Sequence, residues 1–372
     1  MRQRFWIILI VALVVCGCSH QTVSPKATVS AGFLDAQTPA FKIYAVNYAL
    51  YPYVMCYFRT MDGNKEPLIN LTNSNVGLMV QGQLYDPMKK QYEVQTLKDR
   101  REGFRTVLVL DCSASMAGQP FADLLTAARS FIRLKSPSDE IGIIALTDSV
   151  EHVCAFTKDV QRLDTYLNDL RPIGKRTPLY DGIGTAIQAC FTGRNLSFSQ
   201  ANLDFTVLSN IVVITDGIDV GSAMSKEGLD RKIDDMKIPI PIYSIIYNGK
   251  SKHNFQDLAY LSTISFGRYW EIDSMSYLSQ ICSKILDINR NDYVVTFRGY
   301  LPVDGNNHNL KIAIRYAGFF MDDTAQFQSI NLPLATDELR RLRMKLENSI
   351  PKLPDGNPYY SSPETTLPEY GE

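Results

Sequence analysis

The sequence predicts an α/β protein: a doubly wound, mostly parallel sheet, flanked by a β-sandwich-like region built from N- and C-terminal segments. Three observations carry this reading. Between positions 105 and 290, short apolar runs alternate with amphipathic helical stretches, the pattern of a parallel sheet buried on both faces. The stretches on either side, 41–104 and 291–333, have β character instead. The chain has 372 residues, 45% hydrophobic and 21% charged. That allows two or three domains at about 100–200 residues each and excludes wholesale disorder.

The elements follow in order. Residues 41–104 are rich in Tyr and Val (Tyr44, Val46, Tyr48, Tyr51, Tyr53, Val54, Tyr57), with turn signals at Asp62-Gly63, Asn73, Asn75, Gly77 and Asp86-Pro87. This segment is expected to form half of a split, immunoglobulin-like sandwich. Thr106–Leu110 is a continuous apolar run and reads as a strand covered on both faces. Pro120 then opens a helix, a position that suits its missing N–H. Phe121, Leu124, Leu125, Ala128, Phe131 and Ile132 give that helix one apolar stripe.

Strands are then expected at Ile141–Leu146, Val153–Phe156, Ile211–Thr215, Ile240–Tyr247 and Tyr269–Ile272. Helices are expected at 159–170, 181–192, 226–236, 254–263 and 274–288. Past Asn289, alternation returns at Tyr293, Val295 and Phe297 and again at Leu310, Ile312 and Ile314. Asp304-Gly305-Asn306-Asn307 lies between them, so 292–316 reads as a hairpin that completes the sandwich. Residues 334–372 comprise a charged helix at 336–347 and a loose, proline-rich tail.

The N-terminus reads as an address. Arg2 and Arg4 precede an apolar run from Phe5 to Cys18, long enough for a secretory signal and too short to span a bilayer. Val15-Cys16-Gly17-Cys18 resembles a bacterial lipobox, with Gly17 before the cleavage point and Cys18 as the lipidated cysteine. Cleavage before Cys16 would put Val15 at the small-residue position, a poorer fit. The expectation is a signal peptide over 1–17, a tether over 18–40, and a lipoprotein of the cell envelope, at the outer membrane on its periplasmic or surface face. Five further cysteines, Cys56, Cys112, Cys154, Cys190 and Cys282, are irregularly spaced and read as buried free thiols.

Charge and motifs exclude several function classes. Lys and Arg total 38 against 39 Asp and Glu, so the chain has no overall basic footprint for nucleic acid. The four histidines are scattered, and no HExxH or CxxC spacing supports zinc. Gly174-Lys175 is not a phosphate loop, because Asp169 stands where the first glycine belongs and Arg176 where Ser or Thr belongs.

The chemistry gathers in three places. The first strand ends in Asp111-Cys112-Ser113-Ala114-Ser115-Met116, Thr177 lies in the loop Gly174–Leu179, and the strand Ile211–Thr215 runs into Asp216-Gly217. Open α/β sheets place their ligand crevice at the carboxyl ends of strands. An oxygen-only donor set there favours a hard divalent ion, Mg²⁺ or Mn²⁺.

Asp-x-Ser-x-Ser, a later threonine and Thr-Asp-Gly, in that order, resemble the von Willebrand factor type A (VWA) domain over residues 105–290, a Rossmann-like fold. The resemblance implies a metal-ion-dependent adhesion site. Ser113 and Ser115 would ligate directly through hydroxyls, Asp111 and Asp216 largely through water, and Thr177 directly when the site is engaged. It further implies a non-enzymatic module that grips an Asp or Glu of a protein partner.

Blander readings stand beside this one. Ser and Asp at a strand end are commonly turn or cap residues. Asp219 reads as a loop or cap carboxylate, and Asp181 as an acid at a helix start. Ser113 as a nucleophile lacks a GxSxG elbow and a placed histidine, which weighs against a hydrolase. A structural scaffold in an envelope assembly, with a non-adhesive metal site, is the alternative function.

Overall fold

The computed structural model describes residues 39–100, 103–192, 208–236, 240–248, 255–334 and 337–360. The signal segment, Cys18 and the tether up to Thr38 lie outside them, as does the tail beyond Tyr360. No helix among the described residues is long and apolar enough to cross a membrane.

The N-terminal segment supplies β1 (Ala40–Leu50), β2 (Tyr53–Met61), β3 (Val76–Val80), β4 (Gln83–Leu84), β5 (Tyr92–Thr96) and a one-turn helix, α1 (Leu97–Arg100). The α/β domain follows with β6 (Phe104–Asp111), α2 (Gln119–Leu134), β7 (Glu140–Leu146), β8 (Val150–Thr157), α3 (Val160–Asp169) and α4 (Leu179–Thr192). It continues with β9 (Leu208–Thr215), α5 (Lys226–Asp234), β10 (Ile242–Tyr247), α6 (Gln256–Ile264), β11 (Tyr269–Ile272) and α7 (Leu278–Arg290). Three strands, β12 (Tyr293–Arg298), β13 (Asn307–Tyr316) and β14 (Phe319–Gln328), and one helix, α8 (Asp337–Ser349), end the described chain.

The central sheet has the order β11-β10-β9-β6-β7-β8, parallel except for the β7–β8 edge pair. Strand β6 shows why its sequence reads as a continuous apolar run. Leu108 and Leu110 pack with α2, α3 and α7, while Val107 and Val109 pack with α4, α5 and α6. Both faces are covered over Val107–Leu110, so these four positions are apolar and Asp111 follows at the carboxyl end.

The sandwich has two four-stranded sheets, β1-β2-β12-β5 and β14-β13-β3-β4. β12 pairs antiparallel with β2 and β5. The segments before and after the α/β domain therefore share one sheet. Along β2, Val54, Cys56 and Phe58 face the sandwich core, while Tyr53, Met55 and Tyr57 face Leu339, Leu346 and Ile350 of α8 and its C-terminal end. Covered on both sides, β2 is buried at every position.

The two units meet at a buried ion pair. Arg59 of β2 holds Asp292 through two bonds of 2.8 and 2.7 Å, reaches Asn289 Oδ1 at 2.7 Å and donates to the Phe266 carbonyl at 2.9 Å. Tyr243 of β10 donates to the same Asn289 oxygen at 2.6 Å. Nearby, Glu66 accepts from Lys284 of α7 at 2.7 Å and from Arg268 at 2.9 Å.

Two expectations are corrected. Residues 292–316 are not a hairpin: β12 and β13 lie in different sheets, and the chain crosses the sandwich between them. The hairpin is β13–β14, turning through Ala317 and Gly318, both at positive φ. The tail is not loose over 351–360. The Asp86 N–H donates to the Pro358 carbonyl at 3.0 Å, and the Tyr359 ring stands edge-on to Tyr85 at 5.3 Å. The five cysteines at 56, 112, 154, 190 and 282 are buried thiols.

Candidate metal centre

The three predicted loops meet at the carboxyl edge of β6 and β9. Asp111 is the last residue of β6 and is wholly buried. Its Oδ1 accepts the Ser113 N–H at 2.9 Å, which folds the chain back after the strand. Its Oδ2 accepts the Thr215 hydroxyl at 2.6 Å. Ser113 and Ser115 bring their hydroxyl oxygens within 2.8 Å of each other, and Ser115 donates to Asp216 Oδ1 at 2.9 Å. Asp111, Ser113, Ser115 and Asp216 thus form one connected network.

Thr177 is held beside it by backbone. Its N–H donates to the Val220 carbonyl at 3.2 Å, and the Val220 N–H donates back at 2.9 Å. Glycine at position 217 leaves a space between the loops. A Cβ there would lie 3.6 Å from Thr177 Oγ1, 3.8 Å from Thr215 Oγ1 and 3.9 Å from Asp111 Oδ2. The Thr177 loop is also tied to the serine loop. Ala114 N–H donates to the Gly174 carbonyl at 2.7 Å, and Gly174 N–H donates to the Cys112 carbonyl at 3.0 Å.

Two residues matter here that the sequence reading gave no role. Thr215 orients Asp111, and its place in Thr-Asp-Gly was the available signal. Gly174 allows the close approach of its loop, since a Cβ there would sit 2.6 Å from the Thr147 Cα. Asp219 and Asp181 are cap and loop carboxylates. Asp219 accepts from the Tyr180 N–H at the start of α4, and Asp181 accepts from the Ala223 and Met224 N–H groups. Lys175 and Arg176 are exposed on the loop that carries Thr177.

Electrostatics fit a cation. Burial, with Asp216 adding to it, lifts the Asp111 carboxyl above its ordinary range, against hydrogen bonds from Thr215 and Ser113. A divalent ion among these oxygens would reverse that balance. The donor set is two carboxylates and three hydroxyls, all hard oxygens. Among the described residues there is no cluster of three or more His, Cys, Asp or Glu side chains, so the hydroxyls are essential to any metal site here. The rim is apolar. Ile173, Ile218 and Val220, on the loops that carry Thr177 and Asp216, are 70%, 42% and 47% exposed.

Residues 106–218 match the family described as the von Willebrand factor type A domain. Over those residues the α/β domain resembles a VWA domain, which suggests a protein-interaction or adhesion-type module. Similar solved structures include a von Willebrand factor type A protein from Catenulispora acidiphila, at 10% identity and TM-score 0.44, covering 86% of this chain and 76% of that one. The ArnB paralog VWA2 from Sulfolobus acidocaldarius is similar at 13% identity and TM-score 0.39, covering 82% and 78%. The vWF domain of the type V pili tip protein Mfa5 from Porphyromonas gingivalis is similar at 12% identity and TM-score 0.35, covering 51% and 96%. No curated protein matches the chain.

Proposed function

We propose that this chain is a lipid-anchored protein-binding module of the cell envelope. Its VWA domain uses a divalent cation, Mg²⁺ or Mn²⁺, to engage an Asp or Glu of a protein partner. Asp111, Ser113, Ser115, Thr177 and Asp216 would hold the ion, and Cys18 would carry the lipid. The observation that carries this reading is the convergence of five oxygen-bearing side chains from three loops at one sheet edge.

The chemistry follows from the donor types. Asp111 and Asp216 would act largely through water, so the direct ligands are neutral hydroxyls that leave much of the ion's charge unquenched, and Mg²⁺ keeps several waters in its octahedral shell. When bound, the ion supplies a Lewis-acidic seat for a partner's carboxylate. The chain's own residues orient that seat: Thr215 holds Asp111, and Asp216 holds Ser115. The exposed Ile173, Ile218 and Val220 offer apolar contact around a charged centre, the composition of a protein interface. Nothing in the network resembles a paired acid and base, so an enzyme reading gains no support from it.

Calorimetric titration with Mn²⁺ tests the site. Wild type is expected to saturate with one ion, and a Ser113→Ala/Ser115→Ala variant to lose that binding. Equal binding by both would remove the site. The scaffold alternative differs in one respect: its partner binding would survive both EDTA and Asp111→Ala.

A further inference from the structure

The tip of the β13–β14 hairpin carries two exposed aromatic residues for which the fold has no use. Phe319 is 47% exposed and Phe320 44%. Adjacent residues of a strand point to opposite faces, so at most one could serve the sandwich core, and neither is buried. The tip is therefore apolar on both sides. The turn before it, Ala317-Gly318, is exposed, and Arg315 beside it is exposed as well. The acids that follow are matched by cations: Asp322 pairs with Lys311 at 2.9 Å and Asp323 with Lys42 at 3.2 Å.

The tip stands where the chain enters the fold. Asp323 Oδ2 accepts the Ile43 N–H at 2.9 Å, and Tyr48 donates to Gln328 Oε1 at 3.4 Å, both across 280 residues of sequence. β1 and β14 thus run side by side in the same direction, and the same offset carries Ala40 to Phe320. Roughly 20 residues separate Cys18 from Ala40, a length that reaches at most about 70 Å when fully extended.

We infer that the Phe319–Phe320 tip is a second membrane contact, seated in the interfacial layer of the bilayer that holds the lipid on Cys18. This rests on the lipid-anchor reading above. The tether holds the tip near the bilayer, so even a weak contact there acts at high effective concentration. Phenylalanine is suited to the boundary between headgroups and chains.

The test uses the acylated full-length protein reconstituted into vesicles of phosphatidylethanolamine and phosphatidylglycerol, with brominated chains as quenchers. Flotation reads the anchor, and tryptophan fluorescence reads the tip. Trp270 is fully buried and gives a constant background. The Phe320→Trp and Phe319→Trp variants are expected to gain a blue-shifted emission that brominated lipid quenches. Met88→Trp, at an 85% exposed position in the loop between β4 and β5, is expected to stay unquenched. Flotation with both tip variants unquenched would overturn the hairpin contact and leave the anchor standing. Failure of the wild-type protein to float would overturn the anchor and this contact with it.

Discussion

Ser115 donates its hydroxyl to Asp216 at 2.9 Å across 101 residues of sequence. That one bond joins the loop after β6 to the loop after β9. It exists because the two strands are parallel neighbours in the sheet, so both chains leave the sheet at the same edge. The metal-site account follows from that topology.

The hydroxyl of Thr215 is expected to matter although it is no ligand in this account. It fixes Asp111 at 2.6 Å, and supporting hydrogen bonds of this kind are worth about 10–100-fold in metal affinity. Thr215→Val should weaken Mn²⁺ binding by at least about tenfold, and cost about 1–3 kcal/mol of stability by leaving a buried carboxylate short of a donor. Calorimetry and urea denaturation measure the two effects.

Gly174→Ala tests the loop rather than its side chains. The added Cβ meets the Thr147 backbone at 2.6 Å, so the loop must shift, and with it the bridge to Ser113. Mn²⁺ affinity is expected to fall although every oxygen donor is still present. Unchanged affinity would mean that the loop can move without the site.

Arg59 and Asp292 hold the sandwich to the α/β domain. Both are 2% exposed. Arg59→Met leaves a buried carboxylate unpaired and is expected to cost about 3–5 kcal/mol, with Arg59→Met/Asp292→Asn recovering part of the loss. Guanidine denaturation of the three proteins checks this.

Glu66 sets an acid limit on the same junction. Burial raises its pKa, but the Lys284 and Arg268 bonds outweigh that and hold it below the ordinary carboxylate range. A carboxyl depressed in the folded state stabilises above its unfolded pKa of about 4.3 and loses that contribution as pH falls through the folded value. Glu66→Gln should therefore be less stable than wild type at pH 7, and the gap should close as pH falls below about 4. The group is 40% exposed, so the gap is expected to stay within about 1 kcal/mol.

Much of this was legible in the sequence, for a reason visible in β6 and β9. Where helices cover both faces a strand carries a continuous apolar run, so Val107–Leu110 and Ile211–Ile214 announce both the strand and the carboxyl edge at which Asp111 and Asp216 follow. The sandwich was harder to read. Alternation in Leu310, Ile312 and Ile314 says which face is buried but not which strand lies alongside. A turn at Asp304–Asn307 serves a crossing between sheets as well as it serves a hairpin. β14 escaped notice because its single fully buried residue is Phe327, and the charges of Asp322 and Asp323 are neutralised by lysines on other strands. Docking of Tyr359 on Tyr85 is a single aromatic contact and leaves no periodic signal. Thr215 was marked only by its place in Thr-Asp-Gly, and Gly174 acts through one close approach, which composition and spacing do not encode.

The most direct test of the metal-site account is thermal unfolding in EDTA, Mg²⁺ and Mn²⁺, with an Asp111→Ala/Ser113→Ala variant beside the wild type. An ion at about 100 times its dissociation constant adds about 2.7 kcal/mol to the folded state, a rise of several degrees in Tm. The account predicts that rise in wild type and its loss in the variant. An identical melting temperature in EDTA and in saturating cation, or the same rise in both proteins, would contradict it.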